Sequence, residues 1–336
     1  MSIISRPATA PRPATREEMP VLDLTPLNQG APLGDLPRTL RQACETIGFF
    51  YVTNHGVPQA VVDNVFEATR RYFALPFEDR MKLRIDERFR RGFMPQGINK
   101  HPGYEADLKE SFEYALDLPM DDPAVIANLP LHGPNRWPPE YPWLREAAEA
   151  YFNETMALGK RLLRVFAASL GMEEGFFLQY CTKPMVQTRL FHYPPQAPMS
   201  DEKAFGVAPH SDYGMITLLT QDPIGGLELR KRDGEWVAAP YIHGTFVINL
   251  GDMFKVWTND VYVSNLHRVV NRSGKERYSI PTFFNLDYDA PVSCLPTCQS
   301  ADNPPKYKPI KSGDYLVSRF RDVQQYGKPI PVPATA

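Results

Sequence analysis

Met185-Val186-Gln187-Thr188-Arg189-Leu190-Phe191-His192-Tyr193-Pro194-Pro195 is where the chain changes its period. Upstream, apolar residues recur every three or four positions. From here β-branched and aromatic residues alternate in twos, which predicts a strand, and the proline pair ends it. The rhythm returns at 215–220, 226–229, 245–249, 267–270 and 278–285, with turn signals between at Pro223-Ile224-Gly225-Gly226, Asp233-Gly234 and Arg272-Ser273-Gly274. Short strands at this spacing predict a β-sandwich or jelly roll. Proline agrees: there are 34 in 336 residues, about twice the average share of roughly 5%. Proline blocks helix interiors and central strands, so a helical bundle or repeat array is excluded.

Working back towards the N-terminus, residues 144–170 carry the longest helical stripe. Leu144, Ala148, Tyr151, Phe152, Thr155, Leu158, Leu162, Phe166 and Leu170 share one face, and Gly171 stops it. This helix is expected to serve packing and not chemistry. Residues 90–139 read as irregular, with one strand candidate at 112–116. A helix is predicted from Pro58 to about residue 75, on Val61, Val65, Ala68 and Tyr72. Another spans 36–47 and stops at Gly48, and strands are expected at 19–24 and 49–52. Beyond the β-rich half, 312–325 reads as a closing helix.

Lys and Arg number 37 against 39 Asp and Glu, a formal net charge of -2. That balance argues against a nucleic-acid binder, which needs a basic surplus to neutralise phosphates. No apolar run approaches the roughly 18 residues that span a bilayer, so no membrane association is expected. Cys44, Cys181, Cys294 and Cys298 do not make a disulfide scaffold in a chain this long. They read as reduced thiols, with a redox pair at Cys294 and Cys298 as the alternative. The start of the chain carries Arg6, Arg12 and Arg16 without an acid, like a transit peptide, but Pro7, Pro11 and Pro13 would spoil the amphipathic helix such peptides need. It reads as a disordered leader on a cytoplasmic protein.

The chemistry gathers around His210-Ser211-Asp212. On a strand, residues i and i+2 face one side, so one imidazole and one carboxylate can reach a single metal. His267, at the start of a later strand, is the third candidate. Two histidines and a carboxylate leave three adjacent positions open, the arrangement of non-haem Fe(II) oxygenases. A catalytic zinc also accepts such ligands but normally keeps one open position, and hydrogen-bonded histidines without a metal are the structural alternative. Arg277 and Ser279 again share a strand face. A planar guanidinium and a hydroxyl suit capture of a carboxylate, as a 2-oxo acid co-substrate would require. The other histidines (His55, His101, His132, His192 and His243) lack a partner pattern, and His192 alternates to the face opposite Tyr193.

With these residues in hand, the chain resembles the isopenicillin N synthase-like family of Fe(II)- and 2-oxoglutarate-dependent oxygenases over nearly its whole length. The matching motifs are 48–57 (GFFYVTNHGV), Tyr193-Pro194-Pro195, His210-Ser211-Asp212-Tyr213-Gly214, Asn249-Leu250-Gly251-Asp252, Leu266-His267-Arg268-Val269 and Arg277-x-Ser279. The resemblance implies a mainly β fold with α: a double-stranded β-helix (jelly roll) core with a helical N-terminal half packed outside. It divides the chain into a leader (1–18), a helical N-terminal region (19–180), the β-helix core with its closing helix (181–327) and a tail (328–336). His210, Asp212 and His267 carry over as Fe(II) ligands and catalytic residues, and Arg277 and Ser279 as the 2-oxoglutarate clamp. The family often has Asn two places before the Tyr-Pro pair, near the co-substrate; here Phe191 stands there, while Tyr193 remains.

The implied reaction consumes O2 and 2-oxoglutarate, releases succinate and CO2, and hydroxylates a small molecule. Desaturation, ring closure or ethylene formation on the same iron site is the alternative, and a non-catalytic small-molecule binding protein is the reading from another class. The motif from Tyr213 to Asp222 looks most like a branch that includes ethylene-forming enzyme and plant homoarginine hydroxylases. That branch has Arg at the position of Arg189, and ethylene-forming enzyme has Tyr and Arg at those of Tyr213 and Arg321. By this likeness Arg189 joins the co-substrate site, and Tyr213 and Arg321 meet substrate, Arg321 through a carboxylate; a surface charge on the last helix is the other reading. Residues 97–100 lack the Glu that meets a guanidinium in that branch, and Arg90, Arg91 and Lys100 surround the loop, so an acidic or neutral substrate is expected. Phe112 and Tyr114 are pocket candidates, with the core as their alternative. The molecule is expected to be a monomer or weak homo-oligomer.

Overall fold

The computed structural model describes residues 10–195 and 205–323, apart from Glu87 and Pro102, with side chains as far as Phe320. Twelve strands build two facing sheets: β1 Val21–Asp23, β2 Phe49–Thr53, β3 Gly92–Met94, β4 Glu110–Ala115, β5 Gln187–Tyr193, β6 Val207–His210, β7 Ile216–Gln221, β8 Leu227–Arg230, β9 Trp236–Ala238, β10 Phe246–Leu250, β11 His267–Val269 and β12 Arg277–Phe284. The major sheet runs β1-β2-β10-β7-β12-β5-β4-β3 and the minor sheet β6-β11-β8-β9. Among the pairs that these twelve strands form with one another, β1–β2 is parallel and the rest are antiparallel. This is the expected distorted jelly roll, in which strands adjacent in sequence repeatedly change sheet.

Two apolar layers hold it together. Between the sheets lie Phe49, Tyr51, Phe191, Tyr193, Val207, Leu229, Val237 and Val269, all buried. The other face of the major sheet packs on helices Leu36–Thr46, Gln59–Phe73 and Pro142–Ser169. The last keeps its predicted stripe inward: Leu144, Ala148, Tyr151, Leu158, Leu162 and Phe166 are buried. Gly159 lets it approach β12 closely, because a Cβ there would fall 2.2 Å from the ring of Phe284. The helix Leu36–Thr46 ends where Gly48 takes φ +68, and a Cβ at that turn would collide with the carbonyl oxygen of Val263.

The structure departs from the sequence reading at several places. Strands β3 and β9 were not expected, nor the helix Asp252–Trp257, and the strand expected to carry both His210 and Asp212 ends at His210. Upstream of the expected start at Met19, Ala14 N–H donates to Ala238 O and Ala238 N–H to Arg12 O, so residues 12–14 already pair with β9. Residues 1–9 of the expected leader and the tail 328–336 lie outside the described residues. Among the described residues no helix is long and apolar enough to cross a membrane. All four cysteines are free thiols.

Candidate active site

A cavity opens between the two sheets at the ends of β6 and β11, and both predicted clusters line it. Along β5 the alternating residues Gln187, Arg189, Phe191 and Tyr193 point into it, whereas Thr188 and Leu190 are buried on the helix side. Leu316 and Phe320 of the closing helix Ser312–Val323 cover it, and Leu116, Leu131 and Met185 form an apolar wall.

His210, Asp212 and His267 are brought together, with one donor atom of each within 4.8 Å of the others. Their placement differs from the strand argument in one respect. β6 ends at His210, and Asp212 lies beyond it in a turn. Asp212 reaches the cluster because the segment after β10 pins that turn: Asp252 N–H donates to Asp212 O at 2.7 Å and Gly251 N–H to Met215 O at 2.9 Å. Glycine is required at both positions: a Cβ on Gly251 would sit 2.2 Å from Gly214 O, and one on Gly214 2.0 Å from Asn285 Oδ1. His267, the first residue of β11, lies directly opposite His210 across the β6–β11 pair.

The donor set fits a divalent cation. His210 Nδ1 bonds Ala208 O at 2.9 Å and His267 Nδ1 bonds Asn265 O at 3.3 Å. A carbonyl can only accept, so each Nδ1 carries its proton and each Nε2 is left with a lone pair. These Nε2 atoms lie 3.7 and 3.8 Å from Asp212 Oδ1. The other oxygen, Oδ2, is occupied by Thr217 Oγ1 at 2.5 Å and Asn249 Nδ2 at 2.7 Å. Burial pushes the Asp212 carboxyl up, but the adjoining His267 and His210 and the hydrogen bond from Thr217 outweigh it and hold the group below the usual carboxylate range. Burial and then His210 push His267 down to about 4, against the pull of Asp212. Neutral imidazoles and an ionised carboxylate are the forms that ligate metal.

Arg277 is fully buried. It donates through Nε to Gly225 O, through Nη1 to Ser279 Oγ at 3.1 Å and through Nη2 to Gln221 Oε1 at 3.3 Å, and it lies 4.5 Å above the ring of Tyr193. Among the described residues no carboxylate approaches it within 4.0 Å. Asp222 is near enough to interact with its charge but binds the N–H groups of Tyr278 and Ile224 instead. A buried guanidinium without a direct carboxylate partner is costly, so the arrangement suits an incoming carboxylate. Tyr193 OH stands 3.5 Å from Ser279 Oγ.

The other predicted site residues divide. Arg189 lines the cavity, but its Nε faces Glu113 at 3.3 Å and its Nη2 donates to Gln187 at 3.0 Å. Tyr213 lines it too, beneath Phe320, and burial pushes its phenol up to about 12, so it stays a donor. Phe112 is corrected: on β4 it faces the helices, with Tyr72 and Trp137 around its ring, and Tyr114 is likewise in the core. The side chain of Arg321 lies outside the described residues. His192 is on the face opposite the cavity, bonded to Glu110 at 2.8 Å. His101, expected to be inert, lines the cavity with its ring 5.2 Å from that of His210. Asp107 and Lys109 accompany it and went unnoticed in the sequence.

Comparison with known proteins agrees with this geometry. Residues 19–140 match the model "non-haem dioxygenase in morphine synthesis N-terminal" and residues 181–286 that of the 2OG-Fe(II) oxygenase superfamily. The chain is 37% identical to a 2-oxoglutarate-Fe(II) type oxidoreductase, hxnY, of Emericella nidulans, over 92% of this chain and 90% of that one. It is 31% identical to a homoarginine-6-hydroxylase of Glycine max, over 90% and 96%. Among solved structures it is similar to a full-length Neurospora crassa protein in complex with alpha-KG and thymine, with a TM-score of 0.81 and 27% identity over 92% of this chain and 98% of that one.

Proposed function

The chain belongs to the 2-oxoglutarate- and Fe(II)-dependent oxygenases and is an oxidoreductase using both, and we propose that it hydroxylates an unactivated C–H bond of a small molecule, with release of succinate and CO2. The observation that carries this reading is the convergence of the His210, Asp212 and His267 donor atoms on the cavity that Arg277 also faces.

In this reading His210 Nε2, Asp212 Oδ1 and His267 Nε2 hold Fe(II), and the backbone carbonyls on each Nδ1 keep both imidazoles in the ligating tautomer. Bound there, Fe(II) with its 2-oxo acid supplies the activation of O2. Arg277 and Ser279 take the far carboxylate of 2-oxoglutarate, and Tyr193 supports the guanidinium from below. Arg189 borders the same ligand space with its charge balanced by Glu113. Tyr213 offers substrate a hydroxyl, while Leu316 and Phe320 exclude water from the reacting carbon. The acids at and behind the cavity wall do not favour a cationic substrate: Asp107, which lines the cavity, is matched by Lys109, and Glu113, buried behind Arg189, by that arginine. A neutral or acidic molecule with an apolar body fits better. The reading extends to one catalytic unit, a helical region 19–180 buttressing a core 181–327, acting in the cytoplasm as a monomer or weak homo-oligomer.

The test is a metabolite screen with protein loaded anaerobically with Fe(II) and 2-oxoglutarate and then given O2. Substrate-stimulated succinate with a product heavier by one oxygen is expected. A product lacking two hydrogens would reassign the reaction to desaturation or ring closure, and absence of succinate would overturn the proposal.

A further inference from the structure

Three adjacent strands of the major sheet, β12, β5 and β4, send a row of side chains into the cavity. Arg277 pairs with Tyr193, and Glu110 pairs with His192. Lys109 immediately precedes β4, and that register continued by one residue sets it beside Tyr193 on the flank opposite Arg277. Strands about 4.8 Å apart place the two backbones roughly 10 Å from each other, and both long side chains line the cavity. Arg277 lies 4.5 Å from the Tyr193 ring centroid and the Lys109 ammonium 5.3 Å from that of Phe191, the two rings being 6.0 Å apart.

Lys109 is buried and held. One of its N–H groups bonds Asp107 Oδ2 at 2.5 Å, and among the described residues it has no other acceptor. Asp107 Oδ1 accepts the N–H of Ala208 at 3.0 Å, and Ala208 O accepts from His210 Nδ1 at 2.9 Å. One carboxylate therefore ties the ammonium to the segment that carries a metal-ligand candidate. An ammonium has three N–H donors, so two remain for an occupant of the cavity. Phe191 beneath it offers no hydrogen bond.

We propose that Lys109 binds the carboxylate adjoining the keto group of 2-oxoglutarate, so that the dicarboxylate lies across β5 between two cations, Arg277 at the far end and Lys109 at the near end. Asp107 is the positioning residue that aims the ammonium. The proposal rests on the Arg277 assignment above.

Calorimetric titration of the full chain loaded with Mn(II) tests it, with 2-oxoglutarate and pyruvate as probes. Pyruvate keeps the keto acid end and lacks the far carboxylate. Lys109→Met is expected to weaken both ligands by a similar factor, roughly ten- to a hundredfold, as for a lost charge-assisted hydrogen bond. Lys109→Arg should recover most of that loss. Arg277→Met should weaken 2-oxoglutarate alone. Mn(II) affinity should be unchanged in Lys109→Met; a fall there would reduce Lys109 to a structural prop of the metal site and overturn the proposal. It is also overturned if Lys109→Met binds 2-oxoglutarate as the wild type does, or if only the longer acid is weakened. Wild-type protein whose 2-oxoglutarate binding does not depend on Arg277 would instead overturn the clamp assignment.

Discussion

Asn249 donates its side-chain N–H to Asp212 Oδ2 at 2.7 Å, on the oxygen turned away from the two imidazoles. With Thr217 on the same atom, the carboxylate cannot rotate, and Oδ1 is the oxygen presented to a metal. Partners of this kind usually set metal affinity within a factor of ten to a hundred. Asn249→Leu is therefore expected to weaken Mn(II) or Fe(II) binding by roughly ten- to a hundredfold, with the fold retained. Metal titration checks it, and an unchanged affinity would show that Asn249 acts only in the β10 register.

Arg277 makes three hydrogen bonds in three directions while its planar face lies on Tyr193. Lysine keeps the charge but neither the fork nor the stacking plane. Arg277→Lys should raise the 2-oxoglutarate Kd by at least roughly tenfold and leave metal affinity alone. Binding titrations of both ligands on one preparation decide it: equal 2-oxoglutarate affinity would mean that point charge suffices.

What could be read from the sequence, and what could not, follows from how burial shows itself there. Arg277 and Ser279 were legible because alternation along one strand is a local property, and the structure bonds them at 3.1 Å. The meeting of His210 with Asp212 was expected for a reason that does not hold, since the turn after β6 and not strand alternation sets it. Phe112 was misplaced because every residue of β4 is buried. When both faces of a strand are covered, apolar character no longer tells the core from the cavity, and here the cavity face carries Ser111 and Glu113, the helix face Phe112 and Tyr114. His101, Asp107 and Lys109 sit in text that reads as a polar loop. Only the pairing of that loop with residues 205–208, far away in sequence, turns them into a buried ion pair beside the cavity.

Gly159 supplies a stability prediction. Alanine would gain roughly 1 kcal/mol of helix propensity on a free helix. Here its methyl would stand 2.2 Å from the Phe284 ring, which is fully buried on β12. Overpacking of this kind costs about 1–3 kcal/mol. Gly159→Ala should lower the urea midpoint, and adding Phe284→Leu should restore part of it; a single variant as stable as the wild type would mean that the helix yields freely.

His55 supplies a prediction on pH. Its Nδ1 accepts the N–H of Val57 at 3.1 Å and its ring packs edge-on against Phe246 at 4.7 Å. Burial, with Arg161 in support and against a hydrogen bond involving Gly244, lowers the imidazole below its ordinary value. The unfolded chain, with a pKa near roughly 6.5, then binds the proton first. Stability from this group is complete above that value and is lost as pH falls through it towards the folded pKa. Protonation also removes the acceptor that Val57 uses. Asparagine at this position can accept the same N–H through its side-chain oxygen, as in an Asx-turn, without titrating. His101 and His267 are shifted in the same direction and are kept in the variant, so the difference between the two proteins isolates His55. Metal-free His55→Asn should lose less Tm than the wild type between pH 7 and pH 5, and parallel losses would show that His55 does not titrate in this range.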